Sequence, residues 1–387
     1  MIIKSLELEN FRNYDELSIS FDSGTNIIYG DNAQGKTNIL EAIFLSATTK
    51  SHKGSKDRDI INFHAEEAHI RTFVEKDDLT HRVDMHLRKN KSKGIAINGQ
   101  KIKKASDLLG LLNVVFFSPE DLAIIKNGPS ERRRFVDMEL CQLDSFYLYN
   151  LNHYNKIVDQ RNKLLKDMQY QPGLQDTLTI WDAQLLSFGS KVIERRISFE
   201  KQLNEIIYDI HKKLSGGKEE LFVCYEPDIT LDRYENALAN GHEKDMKLKM
   251  TSIGPHRDDF SFMVNRVNPE TGEKDSEKID IRKFGSQGQQ RTAALSLKLA
   301  EIELVKKLTG EPPVLLLDDV LSELDSNRQN YLLNSIGDIQ TIITCTGLEE
   351  FVNNRFEINR IFKVQKATVQ QENEVDTKKK MEEENER

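Results

Sequence analysis

Two glycines, a lysine and a hydroxyl spaced as Gly30-Asp31-Asn32-Ala33-Gln34-Gly35-Lys36-Thr37 form a complete phosphate-binding loop. The glycines let the backbone curl so that successive amides face the β-phosphate of a nucleoside triphosphate. Lys36 neutralises charge toward the γ-phosphate, and the Thr37 hydroxyl is placed to ligate Mg2+ at a helix N-terminus. The apolar run Asn26-Ile27-Ile28-Tyr29 precedes the loop, and a helical pattern beginning at Asn38 follows it, which is the context such a loop requires. Gly30 through Asn38 are therefore the expected nucleotide-binding residues, with Lys36 a candidate for catalysis as well.

A second cluster completes this chemistry. Pro313-Val314-Leu315-Leu316-Leu317-Asp318-Asp319 is an apolar strand ending in two carboxylates. Asp318 is expected to hold Mg2+ directly or through water, and Asp319 to polarise the attacking water as a general base. A parallel sheet brings both strand ends to the one edge where ligands bind. Phe284-Gly285-Ser286-Gln287-Gly288-Gln289-Gln290-Arg291 is a small-residue turn opening a long helix, where a serine hydroxyl and exposed amides make an anion site. Ser322-Glu323-Leu324-Asp325 is an acidic turn whose Asp325, or the following Ser326, could simply cap the next helix.

The elements that must carry these residues come in two regimes. The first hundred or so residues hold short strand-like runs, and Val114-Val115-Phe116-Phe117 reads as a buried strand. From about Ser130 to Leu214 the apolar spacing becomes helical, and Pro172-Gly173 divides this stretch into at least two long helices. Strands resume at Phe260–Val264 and Ile279–Ile281, followed by a helix from about Gln289 to Leu308. The expected architecture is an α/β ATPase lobe assembled from both chain ends (1–118 and 245–366) around an inserted, mainly helical domain (119–244). A charged, disordered tail (367–387) is expected to follow, with Lys378-Lys379-Lys380 and Glu382-Glu383-Glu384 mixed in it.

Composition sets outer limits. At 387 residues the chain is long for one compact core. With 55 basic and 63 acidic residues its net charge is −8, so any nucleic-acid contact must use local basic patches. Cys141, Cys224 and Cys345 lack the paired spacing of a zinc site and fit a reducing cytoplasm. No signal-peptide layout or membrane-length apolar run is present.

The loop, the Ser286 turn, the Asp-Asp strand and the Ser-Glu-Leu-Asp turn together resemble the ATP-binding-cassette superfamily, and their wide spacing resembles its SMC and recombination-repair branch. Leu6-Glu7-Leu8-Glu9-Asn10-Phe11-Arg12-Asn13-Tyr14, Ser130-Glu131-Arg132-Arg133-Arg134-Phe135-Val136-Asp137 and Gly254-Pro255-His256-Arg257-Asp258-Asp259 are similar to phrases of the RecF family, in that family's order. The resemblance implies an ABC-type P-loop ATPase in which Ser286 and Gly288 face the ATP of a second molecule and Asp325 lies in the turn crossing that dimer interface. It also implies binding to DNA at single-strand gaps and single/double-strand junctions, and work with RecR and RecO to help load RecA. Thr346 stands where many cassette ATPases carry a switch histidine, and a hydroxyl cannot supply imidazole chemistry. Weak, DNA-stimulated hydrolysis is therefore expected. A transporter subunit would need a shorter cassette and a switch histidine. An ATP-gated nuclease of the overcoming-lysogenization type would need a further acidic metal domain.

DNA contacts are less sharply marked. Arg132-Arg133-Arg134 could be salt-bridged within the fold or face DNA or nucleotide. Arg88-Lys89-Asn90-Lys91-Ser92-Lys93 and Lys101-Ile102-Lys103-Lys104 read as basic hairpin tips. His256-Arg257-Asp258-Asp259 reads as a self-paired structural network rather than a metal site. Phe146, Tyr147 and Tyr149 could stack on bases, although helical spacing favours packing.

Overall fold

The computed structural model describes residues 1–170, 172–268, 271–275, 277–348 and 358–372. Its internal contacts separate two units, Met1–Pro119 with Val305–Arg387 and Glu120–Leu304.

The first unit opens with β1 (Ile2–Phe11), β2 (Tyr14–Ser20), β3 (Thr25–Tyr29), β4 (Glu67–Lys76), β5 (Leu79–Arg88), β6 (Lys91–Ile97), β7 (Gln100–Lys101) and β8 (Val114–Phe117). The second contributes β9 (Glu219–Glu226), β10 (Asp259–Arg266) and β11 (Ile279–Asp280). The chain then returns to the first with β12 (Val314–Asp318), β13 (Thr341–Cys345), β14 (Arg360–Gln365) and β15 (Thr368–Glu372).

One sheet of the first unit has the order β2-β1-β4-β5-β6-β7 and is antiparallel throughout. Its strands alternate, so that Leu6, Leu8, Ile70 and Met85 are buried while Glu7, Glu9 and Arg71 face outward. The other sheet has the order β15-β14-β3-β13-β12-β8, in which only β15 runs antiparallel to its neighbour. Ile27, Ile28, Val114–Phe117, Val314–Leu317, Ile342 and Ile343 are all buried, the continuous apolar pattern of parallel strands covered on both faces.

The second unit is built on the helices Pro129–Leu143, Ser145–Asp167 and the 37-residue Leu178–Leu214. Val192, Phe199, Leu203 and Ile207 of the longest helix pack on Leu221, Val223, Phe260 and Phe262 of the sheet β11-β10-β9. This grouping differs from the expected return to the ATPase lobe at residue 245. β9 pairs along its whole length with β10, which draws 245–304 into the same unit as the long helices. β9 escaped notice because only Leu221 and Val223 carry its buried face, between acidic residues.

The expected tail at 367–387 also begins too early. Lys366 and Ala367 take positive φ (48° and 57°), a tight turn that folds Thr368–Glu372 back onto β14 as β15. The rest of that segment, 373–387, lies outside the described residues.

Candidate nucleotide site

β3 delivers the chain to the loop at Gly30, and the helix Lys36–Thr48 carries it away. Between them the backbone takes conformations that demand small residues: φ is 151° at Gly30, 64° at Ala33 and 115° at Gly35. A Cβ on Gly30 would lie 2.3 Å from the Val364 carbonyl oxygen, and one on Gly35 would lie 2.7 Å from Asn13 Nδ2. The first collision is with the backbone of β14, so it cannot be relieved by a rotamer change.

Lys36 is almost fully buried, and its ammonium donates to the carbonyls of Gly30 (2.6 Å) and Asp31 (2.9 Å). Burial lowers its proton affinity, while the negative groups at Asp319, Cys345, Asp318 and Asp31 pull the other way. A cation held over a cradle of backbone amides fits the charge and size of a nucleotide's phosphates.

The parallel register sets the Asp-Asp strand beside the loop, since β13 lies between β3 and β12 and all three run the same way. Thr37 Oγ1 donates to Asp318 Oδ1 at 2.8 Å, and Thr344 Oγ1 donates to the same oxygen at 2.7 Å. Thr37 and Asp318 thus share one point, a hydroxyl and a carboxylate suited to a hard cation such as Mg2+. Asp319 turns off the strand with φ 52°, its N–H donating to the Thr344 carbonyl at 3.1 Å. Burial raises its carboxyl above the ordinary aspartate range, Lys36 opposes that, and Asp318 adds to it. A carboxylate with raised basicity at this edge can accept a proton from water.

Several supporting contacts were not foreseen, although Arg12 and Asn13 lie in a family-like phrase and Gln34 and Asn38 were expected at the nucleotide. Asn13 Nδ2 donates to the Gln34 carbonyl (3.1 Å), and its Oδ1 accepts from Asn38 Nδ2 (2.7 Å), clamping the loop to the helix behind it. From the far side the β14–β15 turn holds Gln34, with Lys366 N–H donating to its Oε1 at 2.6 Å. Arg12 forms two 2.8 Å bonds to the buried Glu41 carboxylate. Burial works to raise that carboxyl, but Arg12 and Ser51 outweigh it and hold Glu41 below its usual range. Thr344 could have been found from the Thr-Cys-Thr end of β13, because a hydroxyl there must meet the strand beside it.

A family model described as RecF/RecN/SMC N terminal domain matches residues 2–370. The DNA replication and repair protein RecF of Lachnoclostridium phytofermentans is 63% identical over 370 residues, which cover 96% of this chain and 99% of that one. This chain belongs to the RecF family. The RecF of Agathobacter rectalis is equally similar, at 63% identity over 370 residues and the same coverage. A solved structure of the recombination mediator protein RecF with ATP, from the RecFOR pathway, superposes with a TM-score of 0.87 at 35% identity, covering 96% of this chain and 97% of that one. Membership of the family agrees with the α/β fold and the inserted long helices.

The remaining expected site residues lie elsewhere in this RecF-family chain. In the second unit Ser286 is exposed and caps the helix Gln287–Thr309: its Oγ accepts from Gln289 N–H (3.2 Å), and Gln289 Oε1 accepts from Ser286 N–H (2.8 Å). Gly288, also exposed, leaves the surface beside that hydroxyl open. In the first unit Asp325 caps the helix Ser326–Ser335 by accepting from Arg328 N–H at 3.1 Å, so the capping alternative holds at this residue.

Arg132 is not a surface cation. It is 2% exposed and doubly bonded to Asp259 at 2.7 and 3.0 Å, while Arg133 donates to the Asp258 carbonyl. Asp258 is fully buried against Arg196, Asp259 pairs with Arg132 and His256 with Tyr154, so the His256–Asp259 phrase has a structural role but finds its partners outside itself rather than pairing internally as expected. Tyr147 is buried, whereas Phe146 and Tyr149 are exposed.

Proposed function

We propose that this chain is an ATP-dependent DNA-binding recombination mediator acting at single-strand gaps and single/double-strand junctions, where with RecR and RecO it helps to load RecA. The observation that carries this reading is the Thr37–Asp318–Thr344 cluster beside a fully formed phosphate loop, in a chain so close to named RecF proteins. ATP is the ligand the loop fits, and the site's place is the cytoplasm. No helix among the described residues is long and apolar enough to cross a membrane.

Thr37 and Asp318 are the residues that would hold Mg2+, which when bound supplies positive charge against the β- and γ-phosphates. The chain's own groups do the rest. The loop amides and Lys36 fix the triphosphate, and Asp319 takes a proton from the attacking water. Thr346, exposed at the end of β13, offers no imidazole to that step, so turnover is weak and hydrolysis serves release. Ser286 and Gly288 reach the ATP of a second copy, with Asp325 near that contact, so that ATP joins two chains around DNA.

Binding of the full chain to gapped duplex, blunt duplex and single strand, with ATP, with ADP and without nucleotide at one fixed salt concentration, tests this reading. Tighter binding to the gapped duplex with ATP, together with a shift to dimer mass, is the expected result. Absence of DNA binding in every nucleotide state would overturn it.

A further inference from the structure

The antiparallel sheet of the first unit carries a second cluster of ligating side chains. Cross-strand register places Glu16 opposite Glu9, Glu9 opposite His69, His69 opposite His86, and His86 opposite Gly94. These five positions form one row across β2, β1, β4, β5 and β6, so their side chains share a face. Glu67 lies two residues before His69 on β4 and joins the same face. A groove of about 710 Å3 runs over it, with Glu9, Glu16, His69 and His86 in its wall.

The neighbouring row settles its own charge. Arg71 donates to Glu7 at 3.0 Å and to Asp84 at 2.7 Å, so its guanidinium sits between two carboxylates. The imidazole row is paired at one end alone. His69 and His86 stack with ring centroids 4.2 Å apart, and His86 Nε2 lies 2.7 Å from Glu67 Oε2. The Glu9 and Glu16 carboxylates make no hydrogen bond or ion pair among the described residues, and two carboxylates directly opposite each other repel. At the other end Gly94 puts no side chain over His86, which stays 35% exposed.

We propose that Glu67, His69 and His86 form a binding site for a borderline divalent metal ion, with Zn2+ the best match and Glu9, opposite His69 in the register, a further carboxylate on the same face. One ligand atom from each of the three residues already lies within 4.8 Å of the others. Tetrahedral zinc with bonds of about 2.0–2.1 Å sets its ligand atoms about 3.3 Å apart, so the two rings, stacked 20° from parallel, must turn out of their stack to aim both nitrogens at one ion. Two imidazoles and a carboxylate select zinc, nickel or copper over magnesium and calcium, which prefer all-oxygen shells. The site is therefore chemically distinct from the Thr37–Asp318 oxygen pair. A stacked histidine pair could serve packing alone. Such a role explains neither the carboxylate at hydrogen-bond distance nor the unpaired acidic end of the row.

The test is a zinc titration of the untagged full chain in competition with a chromophoric chelator, repeated with Co2+ to read its visible absorption. Wild type is expected to bind one equivalent of Zn2+ that the His69→Gln/His86→Gln double variant lacks, and to give cobalt bands that the variant loses. Glu67→Gln should weaken the same equivalent at least about tenfold, in line with the usual cost of disturbing a metal shell. Far-UV circular dichroism and ATP binding should be unchanged in all variants, since the positions are surface-facing and outside the phosphate loop. Equal zinc stoichiometry and affinity in wild type and double variant, or no zinc binding by either, would overturn the proposal.

Discussion

The Lys36 ammonium spends its donors on two carbonyls of its own loop, a holding position that a triphosphate can take over with stronger, charge-assisted bonds. Replacing it by alanine removes the cation and leaves γ-phosphate charge uncompensated. Lys36→Ala is expected to weaken ATP binding at least about tenfold, and far more if the full charged contact is lost, by calorimetry. Asp319 belongs to a different step. Asp319→Asn should keep ATP affinity near wild type while lowering turnover by about 10²–10⁴, the usual worth of a general base, in a phosphate-release assay. Its raised carboxyl also sets a sign. The base works only when ionised, so hydrolysis should fall as pH drops through a value above the ordinary aspartate range, and the asparagine variant should lose that limb. An acid limb unchanged in Asp319→Asn would assign the titration to another group.

At the scale of elements, the parallel strands were legible because Val114–Phe117 and Val314–Leu317 are buried on both faces and leave no other reading. The loop was legible from its spacing, and the Asp-Asp strand from its company with that loop. What stayed hidden was whatever depends on a distant partner: β9 needs β10 to reveal its register, and Asn13 acts on Gln34 only once β1 and the loop are folded together. Arg132 shows the same limit, since the sequence could not tell its Asp259 partner from solvent or DNA.

A buried triad ties two helices of the second unit in a similarly unreadable way. Glu139 on Pro129–Leu143 lies with Lys298 and Glu301 on Gln287–Thr309, all 5% exposed or less. Lys298 Nζ is 2.5 Å from Glu301. Burial, then the Glu301 charge, hold the Glu139 carboxyl well above its usual range. A carboxyl whose folded pKa is raised contributes stability at low pH and loses it as pH rises through that folded value. Glu139→Gln, which keeps the shape and the neutral form, should therefore flatten the decline in the denaturation midpoint that sets in as pH rises above the ordinary carboxylate range. A decline as steep as wild type would show that another group causes it.

For the molecule as a whole, the exposed Ser286 turn is the feature through which one copy is proposed to meet another. Ser286→Arg places a long cation where a second chain's phosphates are expected and leaves the sequence of the phosphate loop intact. Each chain should still bind ATP, whereas the ATP-dependent shift to dimer mass in light scattering should disappear. Persistence of that shift would reject the trans contact. The 37-residue helix spans only about 56 Å, so any reach between distant DNA segments must come from assembly rather than from arms.

The split of the parallel sheet between the two chain ends has a consequence for biosynthesis. β3, which launches the phosphate loop, has β13 and β14 as its only sheet neighbours among the described residues, and Asn359 caps its first N–H across 334 residues of chain. As the polypeptide leaves the ribosome, the antiparallel sheet through β7 can pair early, and the second unit can form next. The loop strand must wait for the last segments to emerge, the slow, non-local closure that topology penalises most. Nucleotide affinity is thus the last property this chain acquires as it is made. A nascent or prematurely terminated product would carry the whole phosphate loop yet lack the parallel strands that flank β3.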